Sequence, residues 1–181
     1  MERLICDDDL RPISLTPCIS KVQEDFAVKW LIEDVQSEID PHQFGSLKGL
    51  STTYCLLGMF ENWLSSLDQP SQYLRICFLD FSKAFDHIDH NILVRKLLGL
   101  GVRRHLILWL CSFLSSRRQA VKFSSFITEW ESTHAGVPQG TKFGPILFVI
   151  MINNLALKSP LKANHWKYVD DMSLSEVINI N

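Results

Sequence analysis

The sequence predicts an α+β fold, an antiparallel sheet with helices on one face and the other face left open. Two observations predict it. Apolar strand-like runs at Tyr73 to Phe81 and His165 to Val169 are separated by segments with helical spacing. The last run then turns at Asp170-Asp171 into a return strand, Met172 to Val177. With 181 residues, 46% hydrophobic and 21% charged, the chain can bury one core.

The elements follow in order. Residues 1–10 are acidic and expected to fray. Ile19 to Ile39 reads as a helix, with Val22, Phe26, Trp30 and Val35 near helical spacing and Asp40-Pro41 as its stop. A loop with two glycines covers Gln43 to Leu50. Ser51 suits the cap of a helix from Thr52 to Leu67, whose stripe holds Cys55, Leu56, Met59, Phe60, Trp63 and Leu67. Tyr73 to Phe81 reads as a buried strand. Asp89 suits the cap of a helix through Leu98, ended by Gly99 and Gly101. Arg104 to Leu114 is a second helix. Gln119 to Ile127 and Glu129 to Thr133 read as a hairpin. After the glycine-rich turn from Gly136 to Gly144, Pro145 suits the start of a helix to about Leu157.

Composition excludes several classes. The longest apolar stretch, Phe143 to Leu157, is too short to cross a bilayer and holds Asn153 and Asn154, so no membrane partner is expected. The start carries Asp7, Asp8 and Asp9 where a secretory signal would be basic and then apolar. The five cysteines form no CxxC pair; Cys55, Cys77 and Cys111 read as small core residues and reduced thiols. An intracellular protein, cytoplasmic or nuclear and not secreted, is the expectation. Net charge of −2 argues against strong non-specific nucleic-acid binding. Local cations stand at Arg103-Arg104 and at Arg117-Arg118 with Lys122, where a solvated surface is the ordinary reading.

Chemistry gathers at strand ends. Asp80 follows Ile76-Cys77-Phe78-Leu79, and Asp170-Asp171 follow Trp166-Lys167-Tyr168-Val169. If the strands are neighbours, three carboxylates converge at one sheet edge. Clustered carboxylates favour a hard divalent cation, and two such ions can hold the attacking and leaving oxygens of a phosphoryl transfer. Taken singly, an Asp-Asp hairpin is usually a solvated turn. His87, Asp89 and His90 have spacing that also suits zinc, but helix capping by Asp89 is favoured, since no fourth ligand cluster is evident.

The motifs acquire weight together. They run Arg11-Pro12-Ile13-Ser14-Leu15-Thr16-Pro17 with Ser20-Lys21 and Glu24; Gln43-Phe44-Gly45 with Lys48-Gly49 and Ser51-Thr52; Leu79-Asp80-Phe81-Ser82-Lys83-Ala84-Phe85-Asp86 with Asp89-His90; Gly136-Val137-Pro138-Gln139-Gly140-Thr141 with Gly144-Pro145 and Leu147-Phe148; and Tyr168-Val169-Asp170-Asp171. This ordered set resembles the reverse transcriptase domain of non-LTR (LINE-type) retrotransposons over nearly the whole chain.

The resemblance implies a polymerase palm over 72–181, partial fingers over 1–71, and an RNA-directed DNA polymerase. RNA template, DNA primer and deoxynucleoside triphosphates would be its partners. Two Mg²⁺ ions, with Mn²⁺ as an alternative, would be held by Asp80, Asp170, Asp171 and the Phe81 carbonyl. Phe85 would lie under the incoming sugar and exclude a ribose 2′-OH. Gln139, Lys48 and Arg11 would meet the nucleotide, and Gly136, Pro138, Gly140 and Tyr168 the template and primer. Small Gly136 and Gly140 would let backbone approach nucleic acid. A viral RNA-copying RNA polymerase shares the Asp-Asp turn, but Phe85 and Tyr168-Val169-Asp170-Asp171 argue against it.

The pattern departs from the family in places. Ser46-Leu47 and Leu50 stand where arginines are usual, leaving Lys48, and Lys142-Phe143 replaces small or apolar residues. A primer-gripping hairpin, thumb and endonuclease are not expected within this chain. The alternative is therefore a decayed, non-catalytic relic that at most binds nucleic acid or a partner, and activity of the chain alone is expected to be low.

Overall fold

A computed structural model describes residues 13–156 and 163–179. The acidic start with Cys6, the nucleotide-contact candidate Arg11 and the expected helix end at Leu157 lie outside the described residues.

The elements are α1 (Cys18–Val35), α2 (Thr52–Leu67), β1 (Gln72–Asp80), α3 (His90–Gly99) and α4 (Arg104–Leu114). Four short strands follow: β2 (Arg118–Gln119), β3 (Lys122–Phe123), β4 (Phe126–Ile127) and β5 (Glu131–Ser132). The order closes with α5 (Phe143–Met151), β6 (Ala163–Tyr168) and β7 (Asp171–Asn179). The main sheet has the order β1-β7-β6 and is antiparallel throughout, as the α+β reading requires. Its central strand, β7, is reached from β6 through the Asp170 turn.

Among the described residues, two apolar clusters hold the fold. Leu31 of α1, Leu93 and Leu97 of α3, Leu110 of α4 and Phe143, Leu147 and Ile150 of α5 share one apolar core. A smaller cluster packs Cys55 and Met59 of α2 on Trp166 of β6. Trp63 of α2 meets Trp166 and Phe78 edge-on, at 6.1 and 6.5 Å between ring centres, and so bridges β6 and β1. Local caps agree with the sequence. Ser51 Oγ accepts from the Tyr54 amide, and the Asp89 carboxylate accepts the Asn91 and Ile92 amides at 2.8 and 3.0 Å. Asp89 is thus a helix cap, and His90 Nε2 bonds the Gly136 carbonyl at 2.7 Å.

Several expectations are corrected. In α1 the buried face is Glu24, Ala27, Leu31 and Val35, while Val22, Phe26 and Trp30 are 53%, 58% and 45% exposed. Periodicity marks a stripe but not which stripe meets the core. The true stripe is hidden in the sequence by Glu24, whose carboxylate accepts the Lys142 amide at 2.8 Å. The helix also ends at Val35, and residues 36–39 continue as turns bonded back to Ile32 and Val35.

β1 is not a buried strand. Among the described residues it pairs with β7 alone, and Tyr73, Cys77 and Phe78 are exposed. Its apolar run reads as interior because hydrophobicity does not report whether a strand lies at a sheet edge. The hairpin also closes differently. Arg118–Gln119 pairs with Glu131–Ser132, and Lys122–Phe123 with Phe126–Ile127. The tip therefore falls at Ser124-Ser125, inside the expected first strand, with Ser124 at φ 55°. The adjacent serines interrupt the apolar and polar alternation there, a turn signal that the expected strand passes over. Finally, α5 starts at Phe143 rather than Pro145 and ends at Met151.

Candidate active site

The sheet register brings the acids to one end. Asp80, the last residue of β1, pairs directly with Asp171, the first of β7, and Asp171 also faces Tyr168 of β6. Directly paired residues project to the same side of a sheet, so Asp80 and Asp171 share a side. Asp170 stands in the turn, where strand alternation does not apply. Burial, followed by the charges of Asp170 and Asp80, pushes the Asp171 carboxyl above its ordinary value. Asp171 therefore feels the charge of both Asp170 and Asp80. An all-oxygen donor set with mutually repelling negative charge fits a hard divalent cation.

Around this end, two segments are strapped together. The Val137 amide donates to the Phe85 carbonyl and the Gly136 amide to the Ile88 carbonyl, both at 2.8 Å. Gly136 has φ 84°, and a Cβ there would stand 2.8 Å from the Asp86 carbonyl oxygen. Glycine is thus required by both conformation and space. Phe81 and Phe85 are half-buried, their rings 6.1 and 5.2 Å from that of Phe148. Pro138 is buried and its carbonyl accepts from Thr141 Oγ1 at 2.7 Å. The Gln139 carbonyl accepts the Ser14 amide at 2.8 Å, which ties the first described residues to this loop.

Gly136, Pro138 and Gln139 line a cleft of about 550 Å³ that also holds Lys83, Arg117 and Arg118. Asp80, Asp170 and Asp171 are not among its lining residues. Gly140, at φ 86°, packs on Ser14. Tyr168 is half-buried against the Trp166 cluster. Lys48 is exposed in a loop bent by Ser46 at φ 61° and Gly49 at φ 85°, and among the described residues it forms no salt bridge.

The comparisons with known proteins decide the family. Residues 6–176 match the family described as "Reverse transcriptase (RNA-dependent DNA polymerase)". The chain belongs to the reverse transcriptase family. The resemblance to the non-LTR type is borne out by its relatives. It is 36% identical over 147 residues to a probable RNA-directed DNA polymerase from transposon X-element of Drosophila melanogaster, covering 80% of this chain and 16% of that protein. It is 30% identical over 176 residues to the corresponding protein of transposon BS from the same organism, covering 92% and 19%. This reverse transcriptase domain therefore spans less than a fifth of those relatives. Among solved structures, a telomerase from Candida tropicalis superposes with a TM-score of 0.59 at 14% identity, covering 88% of this chain and 29% of that one. That likeness supports the fold.

Sequence reasoning missed a second charged cluster in the reverse transcriptase domain, built on the single carboxylate of Asp40. Asp40 accepts from Lys167 Nζ and His165 Nε2, both at 2.7 Å, and from the His42 amide at 2.9 Å. Lys167 is fully buried on β6 and also reaches the Ile152 and Asn153 carbonyls at 3.1 and 3.2 Å. Burial alone would push the Asp40 carboxyl up, but the bonds from Lys167, His165 and the His42 amide outweigh it and hold it well below the usual range. Asp40, His42 and His165 have ligand atoms within 4.8 Å of one another, a spacing that suits a metal. The buried ammonium already neutralises Asp40 there and opposes a further cation. The overlooked signal was Lys167 between Trp166 and Tyr168 on a strand, a lysine that demands a partner once buried.

Proposed function

We infer that this domain is the catalytic core of an RNA-directed DNA polymerase, joining deoxynucleotides to a primer 3′-OH on an RNA template. The observation that carries the reading is the register that sets Asp80 against Asp171 beside the Asp170 turn, gathering three acids at one end of the sheet. Asp80, Asp170 and Asp171, with the Phe81 carbonyl, would hold two Mg²⁺ ions, or Mn²⁺. Bound there, the ions would stabilise charge on the attacking and leaving oxygens. Residues 1–71 are read as partial fingers and 72–181 as palm.

The remaining roles follow from position in the motifs. Phe85 would stack its ring where a ribose 2′-OH would otherwise fit, so Phe85→Ala should admit ribonucleotides more readily. Gln139 and Lys48, with Arg11 outside the described residues, would meet the nucleotide. Gly136, Pro138, Gly140 and Tyr168 would border template and primer. The Candida tropicalis telomerase of similar fold was solved in complex with a fragment of telomeric RNA, which supports nucleic acid as the partner class.

A second reading, a non-catalytic relic, is favoured by one observation: Lys48 is the single cation of the Ser46–Leu50 loop. Triphosphate recognition relies on charge-assisted bonds, and one flexible lysine offers few. Primer extension on an RNA template with Mg²⁺ or Mn²⁺, with Asp170→Asn as the blank, separates the two. Extension that vanishes in Asp170→Asn supports the polymerase. No extension by either supports the relic.

A further inference from the structure

The turn that carries Asp170 is gripped from outside its own hairpin. Val169 has φ 56°, a left-handed backbone that a β-branched residue rarely adopts and that persists only where its surroundings enforce it. The segment His42 to Gly45 supplies that enforcement. The Phe44 amide donates to the Lys167 carbonyl and the Lys167 amide to the His42 carbonyl, both at 2.8 Å. Gln43 lies between them, 1% exposed. Its Oε1 accepts the Gly45 amide at 2.9 Å and the Val169 amide at 3.1 Å. Gly45 sits so close that a Cβ there would stand 2.5 Å from the Val169 nitrogen and 2.6 Å from its Cγ2.

The other end of the same side chain points to a specific use. Gln43 Nε2 is buried without a hydrogen-bond partner among the described residues. An unpaired buried amide is destabilising, so packing alone would be better served by an apolar side chain of similar length. What a glutamine adds is one acceptor for a backbone amide in a turn, which no strand ladder reaches.

We propose that Gln43 is a positioning residue that fixes the Val169 backbone, and through it the Asp170 and Asp171 carboxylates, with Gly45 keeping the approach open. The role rests on reading those carboxylates as ligands of a divalent cation.

The test uses the 181-residue chain with Mn²⁺ as the probe, comparing wild type, Gln43→Met, Gln43→Glu and Asp170→Asn. Site-resolved amide exchange reads the turn. In Gln43→Met the Val169 amide should exchange about tenfold faster or more, while the Phe44 and Lys167 amides keep their rates. Mn²⁺ affinity should fall roughly tenfold, the low end for loss of an outer-shell partner. Gln43→Glu keeps an acceptor and should keep Val169 protected. A still-protected Val169 in Gln43→Met overturns the role. So does faster exchange with unchanged Mn²⁺ affinity, which would leave Gln43 a contact of the fold alone. Should Gln43→Met lose its circular dichroism, Gly45→Ala displaces Val169 by crowding, and the same two readouts decide. Failure of the underlying ligand reading looks different: wild type and Asp170→Asn would bind Mn²⁺ equally, and the positioning role would fall with it.

Discussion

Two acidic sites flank one small sheet, a single carboxylate at Asp40 and three at Asp80, Asp170 and Asp171, and they differ in how their charge is met. Asp40, at the flank of β6, has a buried ammonium and an imidazole each 2.7 Å away. Asp80, Asp170 and Asp171 gather at the end where β6 turns into β7, and there Asp171 meets the negative charge of the other two. By spacing alone the first group is the better metal site, since its ligand atoms fall within 4.8 Å. By charge the first is met by the buried Lys167 ammonium, whereas the second sets three carboxylates at one sheet end. Ligand-like geometry therefore misleads unless every charge facing it is counted. Lys167 converts a candidate site into a structural clasp between the loop after α1, the end of α5 and β6.

The contrast can be broken most forcefully at Lys167. Lys167→Met strands Asp40 in a half-buried position and should destabilise the fold by about 3 kcal/mol or more. Chemical denaturation measures this, and a loss under about 1 kcal/mol would show that the clasp is solvated. Next comes the response to metal. At ten times its Kd, Mg²⁺ should stabilise the domain by about 1.4 kcal/mol through mass action. The thermal shift should disappear in Asp170→Asn and persist in His42→Ala. A shift that instead needs His42 would move the metal to the Asp40 group.

The smallest effects concern sign. Asp171 is held above its ordinary value, so it opposes folding at neutral pH and ceases to do so as pH falls through its raised titration. Asp171→Asn should therefore raise the melting temperature slightly at pH 7, with the gain vanishing toward pH 4. Asp40 has the opposite sign. Its carboxyl is lowered, so its contribution is full above the unfolded value near 3.8 and fades only at more acid pH. Wild type should thus keep the Asp40 contribution across the window in which the Asp171 burden is lost. A destabilised Asp171→Asn at pH 7 would reverse the assignment of burden and clasp.

The same contrast explains what the sequence disclosed. Asp80, Asp170 and Asp171 were legible because each ends an apolar run within an ordered motif, and motifs are local. The caps at Ser51 and Asp89 were legible for the same reason. Asp40 and Lys167 were not, because their bond joins residues 127 apart and each alone looks like a solvated charge. Gln43 was visible as part of a motif, but its grip on Val169 spans 126 residues. The outward stripe of α1 and the exposed face of β1 were misread because apolar periodicity records which residues align, not what packs on them. The hairpin tip at Ser124-Ser125 was missed although the paired serines break the alternation at that point.

The central claim is that the Asp80, Asp170 and Asp171 end of the sheet holds a divalent cation and the Asp40 group does not. The most direct measurement is a Mn²⁺ titration followed by electron paramagnetic resonance on wild type, Asp80→Asn, Asp170→Asn and His165→Ala. Affinity should fall roughly tenfold or more in each aspartate variant, since a first ligand matters at least as much as the outer shell that supports it. His165→Ala should bind as wild type does. Equal binding by wild type and both aspartate variants, or a loss confined to His165→Ala, would contradict the account.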